Sequence, residues 1–238
     1  MVMEFGTRGM ARILESAGVD FALIDMEHSG FGLDRVADLL AWFRATTVTP
    51  IVRVPQPQYH FVARCLDAGA MGVMIPNVQT EAQAAEIVSW VKYAPMGQRG
   101  VGLGTAHTDY VVPDPAAYLK EANVSTVVIC QIESPEGVSN AEAIAATPGV
   151  DCLWVGHFDL SQSMGIGGAF EHPDFLAAMK RVAEASAAQG KSAGAQPGTM
   201  AQAAAWWNMG YRVLSWRSDI ALFRLALAEG IQQLRALT

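Results

Sequence analysis

The amino-acid sequence predicts an α/β protein with the (β/α)8, or TIM-barrel, architecture. The first observation is an alternation, because short apolar runs and amphipathic helical patterns follow one another eight times along the chain. The second is that the runs are apolar at consecutive positions, as in parallel strands buried on both faces. The third is size, since 238 residues with 51% hydrophobic content can form one large core. We therefore expect a single domain spanning residues 1–238.

The amino-terminal half supplies four of the predicted strand and helix pairs. Its predicted strands are residues 1–5, 21–24, 50–54 and 72–75, each an apolar run. Its predicted helices are residues 7–17, 33–44, 59–68 and 80–91. In the first helix Met10, Ile13 and Leu14 share one face, and Thr80 is a suitable N-cap for the fourth. An irregular stretch rich in glycine and proline follows over residues 93–114.

The carboxyl-terminal half supplies the other four pairs. Its predicted strands are residues 126–132, 151–155, 192–196 and 212–215, and its predicted helices are residues 115–122, 135–146, 173–189, 200–209 and 220–237. The last helix has more apolar surface than one barrel face needs, through Leu222, Phe223, Leu225, Ala226, Leu227, Ile231 and Leu234. That excess suits packing on a second subunit. An ordinary barrel helix is the alternative.

The composition excludes several classes of partner. A formal charge of −7 and a pI near 5.2 argue against nucleic acid and anionic membranes, which are polyanions that bind clustered Lys and Arg. The sequence has no run of 18 apolar residues that could span a bilayer, and no signal peptide is visible. The three cysteines, Cys65, Cys130 and Cys152, are widely spaced in apolar contexts. Reduced, buried thiols in a cytoplasmic protein are the simplest interpretation.

Polar residues follow the predicted strands where a barrel would place its chemistry. The predicted strand over residues 151–155 breaks at Gly156 into a loop that carries Asp159, and the preceding strand ends at Glu133. The other strand ends carry Glu4, Asp25, Glu27, His28, Arg53, Asn77, Gln131 and Gln196. Since the carboxyl ends of parallel strands meet on one face, we expect these side chains to converge in one cleft. Taken singly, a lone Arg or Glu at a strand end is more often a surface or salt-bridge residue.

These residue types would suit cleavage of a carbon–carbon bond β to a ketone, which leaves an enolate. Two carboxylates, Glu133 and Asp159, would hold a hard cation with open positions for a developing enolate oxygen. Arg53 adds positive charge where negative charge develops, and His28, with its tautomer set by Asp25, is a suitable base. No Lys stands at a predicted strand end, so a Schiff-base aldolase is not favoured. Residues 100–104 (GVGLG) are a poor dinucleotide fingerprint, so no nicotinamide is expected. Pyridoxal phosphate is not expected either.

A series of motifs resembles one known family over essentially the whole chain and in the family's order. They are DxEH at 25–28, RVP at 53–55, LDAGAxGVMIPxV at 66–78, KYxPxGQRGVG at 92–102, QIES at 131–134 and GxxDLS at 156–161, followed by Met164-Gly165. Together they resemble the HpcH/HpaI aldolases, the divalent-metal, pyruvate-dependent aldolases typified by 4-hydroxy-2-oxoheptanedioate aldolase. The resemblance implies a (β/α)8 barrel that cleaves a 4-hydroxy-2-oxoacid into pyruvate, or a close 2-oxoacid, and an aldehyde.

The resemblance also implies residue roles. Glu133 and Asp159 would bind Mg, Mn or Co, and pyruvate would chelate that ion with Arg53 beside its keto oxygen. His28, oriented by Asp25, would act as acid and base with a metal-bound water. The remaining implied substrate-binding residues are Gln131, Gly156, Phe158 and Gln196, with backbone amides around Phe158 and Asp159 holding the pyruvate carboxylate. In the family, helix exchange builds dimers that assemble into hexamers, and the residue matching Asp67 reaches the neighbouring subunit's site.

Two departures and three alternatives stand beside this resemblance. His157 replaces a proline of the family loop, and Gln196 replaces an aliphatic residue near the aldehyde. His157 is either a third metal ligand or a substitute in a loop whose backbone does the binding. A lyase of the citrate-lyase-β or malyl-CoA type should carry a basic cluster for coenzyme A, and none is visible. A non-catalytic barrel would tolerate loss of His28 or Arg53, but both residues are present. A phosphate-binding isomerase would have glycines in the loop after Ser215, and this loop reads Trp216-Arg217-Ser218.

Overall fold

The structure, a computed structural model, is an α/β fold built on one parallel sheet and describes residues Met1 to Leu237. Thr238, the last residue of the predicted domain, lies outside the described residues. Seven strands follow one another around the sheet in chain order. They are β1 (Phe21–Asp25), β2 (Thr49–Arg53), β3 (Gly72–Ile75), β4 (Val127–Ile132), β5 (Cys152–Val155), β6 (Ser192–Ala195) and β7 (Val213–Leu214). Every neighbouring pair is parallel, as the continuous apolar runs predict.

Helices cover the outside of this curled sheet. They are α1 (Met10–Ser16), α2 (Leu33–Phe43), α3 (Tyr59–Asp67), α4 (Glu81–Val91), α5 (Pro115–Ser125), α6 (Pro135–Ser139), α7 (Ala141–Ala146), α8 (His157–Ser163), α9 (Pro173–Ala188), α10 (Met200–Met209) and α11 (Asp219–Arg235). A 3-10 turn, Ala106–Thr108, lies within the irregular stretch. Thr80 caps α4 as expected, in a capping box with Gln83. No helix within residues 1–237 is both long enough and apolar enough to cross a bilayer.

Side chains alternate between two cores, which fixes which strand residues face inward. Leu23, Ile51, Met74, Ile129, Cys152 and Trp154 fill the space enclosed by the curled sheet. A larger core lies between the sheet and the helices, with Ile24, Val52, Val73, Cys130 and Leu153 among its members. The inward layer forms the floor on which the residues at the strand ends stand. All three cysteines are buried and unpaired.

The predicted first strand, residues 1–5, is reduced to a single bridge. Val2 pairs in parallel with Ile24, and the Met1 carbonyl accepts the Asp219 N–H at 2.9 Å. The Asp219 carboxylate takes the N–H groups of residues 3–5. This segment therefore lies between β1 and β7, which is where the first strand of the predicted eight-stranded barrel would close the sheet. It does not extend as a strand because a side chain, rather than a neighbouring strand, takes its N–H groups.

Two other expectations are wrong in detail. The segment after Gly156 was expected to be a loop, but α8 begins at His157 and carries Asp159 in its first turn. The helix expected over residues 135–146 is divided into two helices at Asn140. The Asn140 side chain donates to the Gln79 carbonyl at 2.8 Å.

Candidate active site

Asp25 and Arg53 form a buried ion pair at the ends of β1 and β2. The two residues are register partners, so their side chains leave adjacent strands at the same level. Arg53 Nε lies 2.8 Å from Asp25 Oδ1, and Nη2 lies 2.8 Å from Oδ2, a bidentate arrangement. Arg53 Nη1 also lies 3.0 Å from Glu27 Oε2. Burial lowers the pKa of Arg53, but hydrogen bonds and charge from Asp25, with the charges of Glu27 and Glu133, raise it overall, so the guanidinium stays charged.

His28 does not receive the expected contact from Asp25. The Asp25 carboxylate is fully buried against Arg53 and reaches His28 only through the backbone N–H, at 3.3 Å. The exposed His28 ring instead has Nε2 3.8 Å from Glu27 Oε2. The physical reason is that a buried guanidinium requires a buried counter-charge, and Asp25 supplies it. Asp25 therefore shapes the loop that carries His28, and Glu27 is the carboxylate beside the ring.

Glu133, at the end of β4, is a buried carboxylate held by two donors. Its Oε1 accepts the Asn77 N–H at 2.7 Å, and its Oε2 accepts Gln131 Nε2 at 2.6 Å. Asn77 has φ 51°, a left-handed conformation that aims its N–H at this carboxylate. Gly156 completes the enclosure, because a Cβ there would collide with Glu133 Oε2 and lie 2.7 Å from Gln131 Nε2. Gly156 thus serves the site by leaving room for Glu133.

The environment of Glu133 raises its pKa to about 7. Burial is the main cause, and the negative charges of Glu27 and Asp159 act in the same direction, while hydrogen bonds from Gln131 and Asn77 oppose them. Glu27 has its own pKa raised, chiefly by burial and further by Asp25 and Asp159. Burial and neighbouring negative charge therefore favour the protonated forms of Glu27 and Glu133.

We expect this arrangement to make the metal-free protein less stable as pH rises. An acid whose pKa is near 7 when folded and 4.5 when unfolded keeps its proton longer in the folded state. Between those values unfolding releases the Glu133 proton, so the contribution of Glu133 to the free energy of unfolding should fall with rising pH, whereas the lowered pKa of His157 contributes in the opposite direction. Urea unfolding in EDTA at intervals from pH 5 to 8 measures this slope. Glu133→Gln, which cannot ionise, should have a smaller slope, and identical slopes in the two proteins would contradict the assignment.

Asp159 and Phe158 lie in the first turn of α8 and are exposed. The first-turn N–H groups of a helix have no intrahelical acceptor, so these two residues offer donors as well as a carboxylate. His157, by contrast, is buried in an aromatic cluster, with ring centroids 4.5 Å from Phe158, 5.0 Å from Phe170 and 5.5 Å from Trp206. Burial lowers the pKa of His157 to about 4, so its ring is neutral near pH 7.

A cavity of about 610 Å³ brings most of the predicted site residues together. Its lining includes His28, Arg53, Gln131, Gly156, Phe158, Asp159 and Gln196. Glu133 adjoins it through its contacts with Gln131 and Gly156. Arg217 and Arg224 also line the cavity. Sequence reasoning assigned neither a role, because Arg217, although it follows the last predicted strand, belongs to no recognised motif, and Arg224 lies within the last predicted helix.

Asp67 lies apart from this cavity. It ends α3, and a helix of this fold ends near the amino end of the next strand. Its carboxylate accepts Arg99 Nη2 at 2.6 Å, and its carbonyl lies 3.1 Å from His107 Nδ1. The chain therefore does not bring Asp67 to its own cluster of carboxylates.

The donor set fits a divalent cation. Glu133 and Asp159 offer carboxylate oxygens, and a cation would offset the burial and the negative charge that raise the pKa of Glu133. Gln131 Oε1 is buried without a hydrogen-bond partner and could accept from a water or a ligand beside such an ion. Within residues 1–237 no three His, Cys, Asp or Glu side chains are grouped to hold a metal. An ion here would rely on two carboxylates and leave its other positions to ligands.

Comparison with known proteins decides the family. Residues 5–217 match the family model described as HpcH/HpaI aldolase/citrate lyase. The chain belongs to the HpcH/HpaI aldolase/citrate lyase family. It is 36% identical over 240 residues to a hydroxypyruvate/pyruvate aldolase of Paraburkholderia phytofirmans, covering 98% of this chain and 92% of the relative. It is 33% identical over 214 residues to a 5-keto-4-deoxy-D-glucarate aldolase of Shigella boydii, covering 90% and 82%.

A solved structure gives the same answer for the fold. The crystal structure of a family member from Burkholderia cenocepacia superposes with a TM-score of 0.92 at 36% identity, covering 99% of this chain and 93% of that chain. The family and its aldolase relatives make this HpcH/HpaI protein a carbon–carbon lyase. The resemblance in the motifs is thereby confirmed.

Proposed function

We propose that this family member is a metal-dependent aldolase that reversibly cleaves a 4-hydroxy-2-oxoacid into pyruvate, or a close 2-oxoacid, and an aldehyde. The observation that carries the proposal is the convergence of buried Glu133, exposed Asp159 and charged Arg53 around one cavity. Relatives that carry pyruvate aldolase names support it. The reacting molecules fit a cavity of about 610 Å³.

The residues divide the work. Mg, Mn or Co, held by Glu133 and Asp159, would polarise the keto oxygen of the substrate. Arg53 places a fixed positive charge where that oxygen gains negative charge, and Asp25 keeps the guanidinium oriented. The N–H groups of Phe158 and Asp159 bind the substrate carboxylate, and Gln131 offers its unpaired Oε1 as an acceptor to a water or a substrate hydroxyl. Gly156 leaves room for this arrangement.

His28 is the proton carrier of this proposal. It lies at the cavity wall, with Glu27 Oε2 3.8 Å from its Nε2. An imidazole can both accept and donate a proton, so His28 can remove the C4 hydroxyl proton during cleavage and return it during addition. Gln196, at the end of β6, lines the acceptor end of the cavity, where its amide can bond to an oxygen of the aldehyde.

The test is release of pyruvate from a panel of 4-hydroxy-2-oxoacids, with and without EDTA. We expect metal-dependent release that returns when Mg, Mn or Co is restored. The panel should include a coenzyme A thioester of a hydroxyacid, since cleavage of that compound alone would favour the citrate-lyase type. Full activity in EDTA, with no metal by elemental analysis, would reject metal dependence.

His157 is assigned a structural role. Its ring is packed in the aromatic cluster, and it occupies the first position of α8, where proline is favoured. We expect His157→Pro to keep metal binding and cleavage within about tenfold, or about 1.4 kcal/mol in the barrier. His157→Ala, which deletes the ring without restraining the backbone, is the control. A loss of several hundredfold with the metal expelled would instead make His157 a ligand.

We further propose that the chain is one cytoplasmic barrel domain that exchanges its last helix in a dimer-based hexamer. No residue of α11 is buried, although Leu222, Phe223, Leu227 and Leu234 are on it. An apolar cavity of about 550 Å³ lies between α1 and the start of α11. In the assembly, Asp67 would serve the neighbouring subunit's site.

Light scattering at micromolar concentration tests the assembly. We expect a mass several times the 25.4 kDa of one chain, because exposing the apolar face of α11 to water is unfavourable. Leu227→Glu, on the exposed part of α11, should lower that mass. Glu229→Gln, on the same helix, is the control. A monomeric mass for the unaltered chain would reject the exchange.

A further inference from the structure

Arg217 and Arg224 give the cavity positive charge that the proposed cleavage does not use. Both residues line the same cavity as His28, Arg53 and Asp159. Arg217 lies three residues after the end of β7, and Arg224 lies in the second turn of α11. The cavity therefore has cations at two places, Arg53 near the buried carboxylates and these two arginines on the β7 side.

The two places differ in how their charge is balanced. Arg53 is charged but already paired, since Asp25 contacts two of its nitrogens and Glu27 a third. Among the ion pairs of residues 1–237 none includes Arg217 or Arg224. The positive charge on the β7 side is thus available to a ligand.

Arg217 also has an unsatisfied donor. Its Nε is buried and has no hydrogen-bond partner, while its guanidinium carbon lies 5.1 Å from the centroid of the Trp216 ring. A buried N–H of a charged group is costly when no acceptor meets it. An acceptor oxygen brought against this N–H would remove that cost.

The backbone conformation of Arg217 also suggests a ligand site. Its φ of 56° is in the left-handed region, which glycine adopts freely and a long side chain rarely does. Such outliers persist where the surrounding structure holds them, often at ligand sites. Here the Arg217 carbonyl accepts from the Met1 nitrogen at 3.0 Å, which holds the residue at the cavity.

We propose that Arg217 selects an acceptor aldehyde that carries an anionic group, a carboxylate or a phosphate ester, and binds that group through its guanidinium. A planar guanidinium matches the oxygens of either group. Gln196 and Ser218, which line the same cavity, can bond to hydroxyl groups of the acceptor. This inference rests on the proposed aldolase function and names the class of its second substrate.

The test compares charged and neutral acceptors in pairs, with pyruvate as donor. Succinic semialdehyde is paired with butanal, and glyceraldehyde 3-phosphate with glyceraldehyde. The measured quantity is the ratio of kcat/KM within each pair. The variants are Arg217→Gly, which accepts the left-handed backbone, and Arg217→Lys, which keeps the charge without the fork. Arg64→Ala, an exposed arginine of α3, removes an equal charge outside the cavity.

We expect the unaltered enzyme to prefer one anionic acceptor, and the pair that shows the preference identifies a carboxylate or a phosphate. Arg217→Gly should reduce that ratio by about tenfold or more, as loss of a charge-assisted hydrogen bond does. Arg217→Lys should be intermediate, and Arg64→Ala should match the unaltered enzyme. A purely structural role would lower both members of a pair equally and leave the ratio unchanged, which would overturn the proposal.

Failure of the proposed function has a different signature. Metal-dependent exchange of pyruvate methyl protons does not require an acceptor, so it is measured first in the unaltered enzyme. If exchange occurs and no anionic acceptor is preferred, the assignment of Arg217 fails and the aldolase proposal stands. If neither exchange nor addition to any acceptor occurs, both fail.

Discussion

Glu133→Gln is expected to abolish metal binding and to lower the rate of cleavage by more than about a hundredfold. Loss of a group that merely supports a metal ligand typically costs about 10–100-fold, and Glu133 is assigned as a ligand itself. A neutral amide is a weaker ligand for a hard cation than a carboxylate. Isothermal titration with Mn, alongside the cleavage assay, measures both effects.

The fold should survive this substitution. The amide oxygen of the new side chain can still accept the Asn77 N–H, as the Glu133 carboxylate does at 2.7 Å. Gln131 can then turn its own amide, because its Oε1 has no partner and can accept from the introduced NH2 group. Glu136→Gln, at an exposed position three residues later, is the matched control. Retained metal affinity in Glu133→Gln would move the metal site elsewhere.

Arg53→Lys is expected to depress both aldol cleavage and the exchange of pyruvate methyl protons by about a hundredfold or more. Both reactions pass through the same enolate, and removal of one donor to a developing oxyanion costs about 10²–10³ in rate. Lysine keeps the counter-charge for buried Asp25 but loses the bidentate geometry. Arg53→Ala removes the charge as well, so it should also destabilise the fold by about 3–5 kcal/mol.

His28→Ala should behave differently from the Arg53 variants. Removing the proton carrier for the C4 hydroxyl should impair cleavage by about 10²–10⁴-fold but affect methyl exchange less. His60→Ala, an exposed histidine of α3, controls for loss of an imidazole. Exchange of the methyl protons is monitored by NMR, and pyruvate release is measured on the same samples. Together they separate the effect on exchange from the effect on cleavage. Equal losses of exchange and cleavage in His28→Ala would remove this division of labour.

Much of the fold follows from local patterns. Strands β1 to β6 come from runs that are apolar at consecutive positions, and such runs leave little choice but burial on both faces. Residues 1–5 look the same in sequence, yet the Asp219 carboxylate takes three of their N–H groups. Helix α8 was missed because Gly156 marks a break, and a helix of seven residues has little periodicity to detect.

By itself the sequence determined the family and the order of the parallel strands, and it predicted many of the residues that line the cavity, since motifs and strand ends are local features that no folding step alters. Only the tertiary structure decided how the charges pair. Asp25 faces Arg53 rather than the His28 ring, and Glu133 is buried beside other carboxylates. Arg217, near the end of the chain, lines the same cavity. The reason is that pairing depends on strand register and on desolvation, which brings together residues far apart in the chain and decides which of them must neutralise one another.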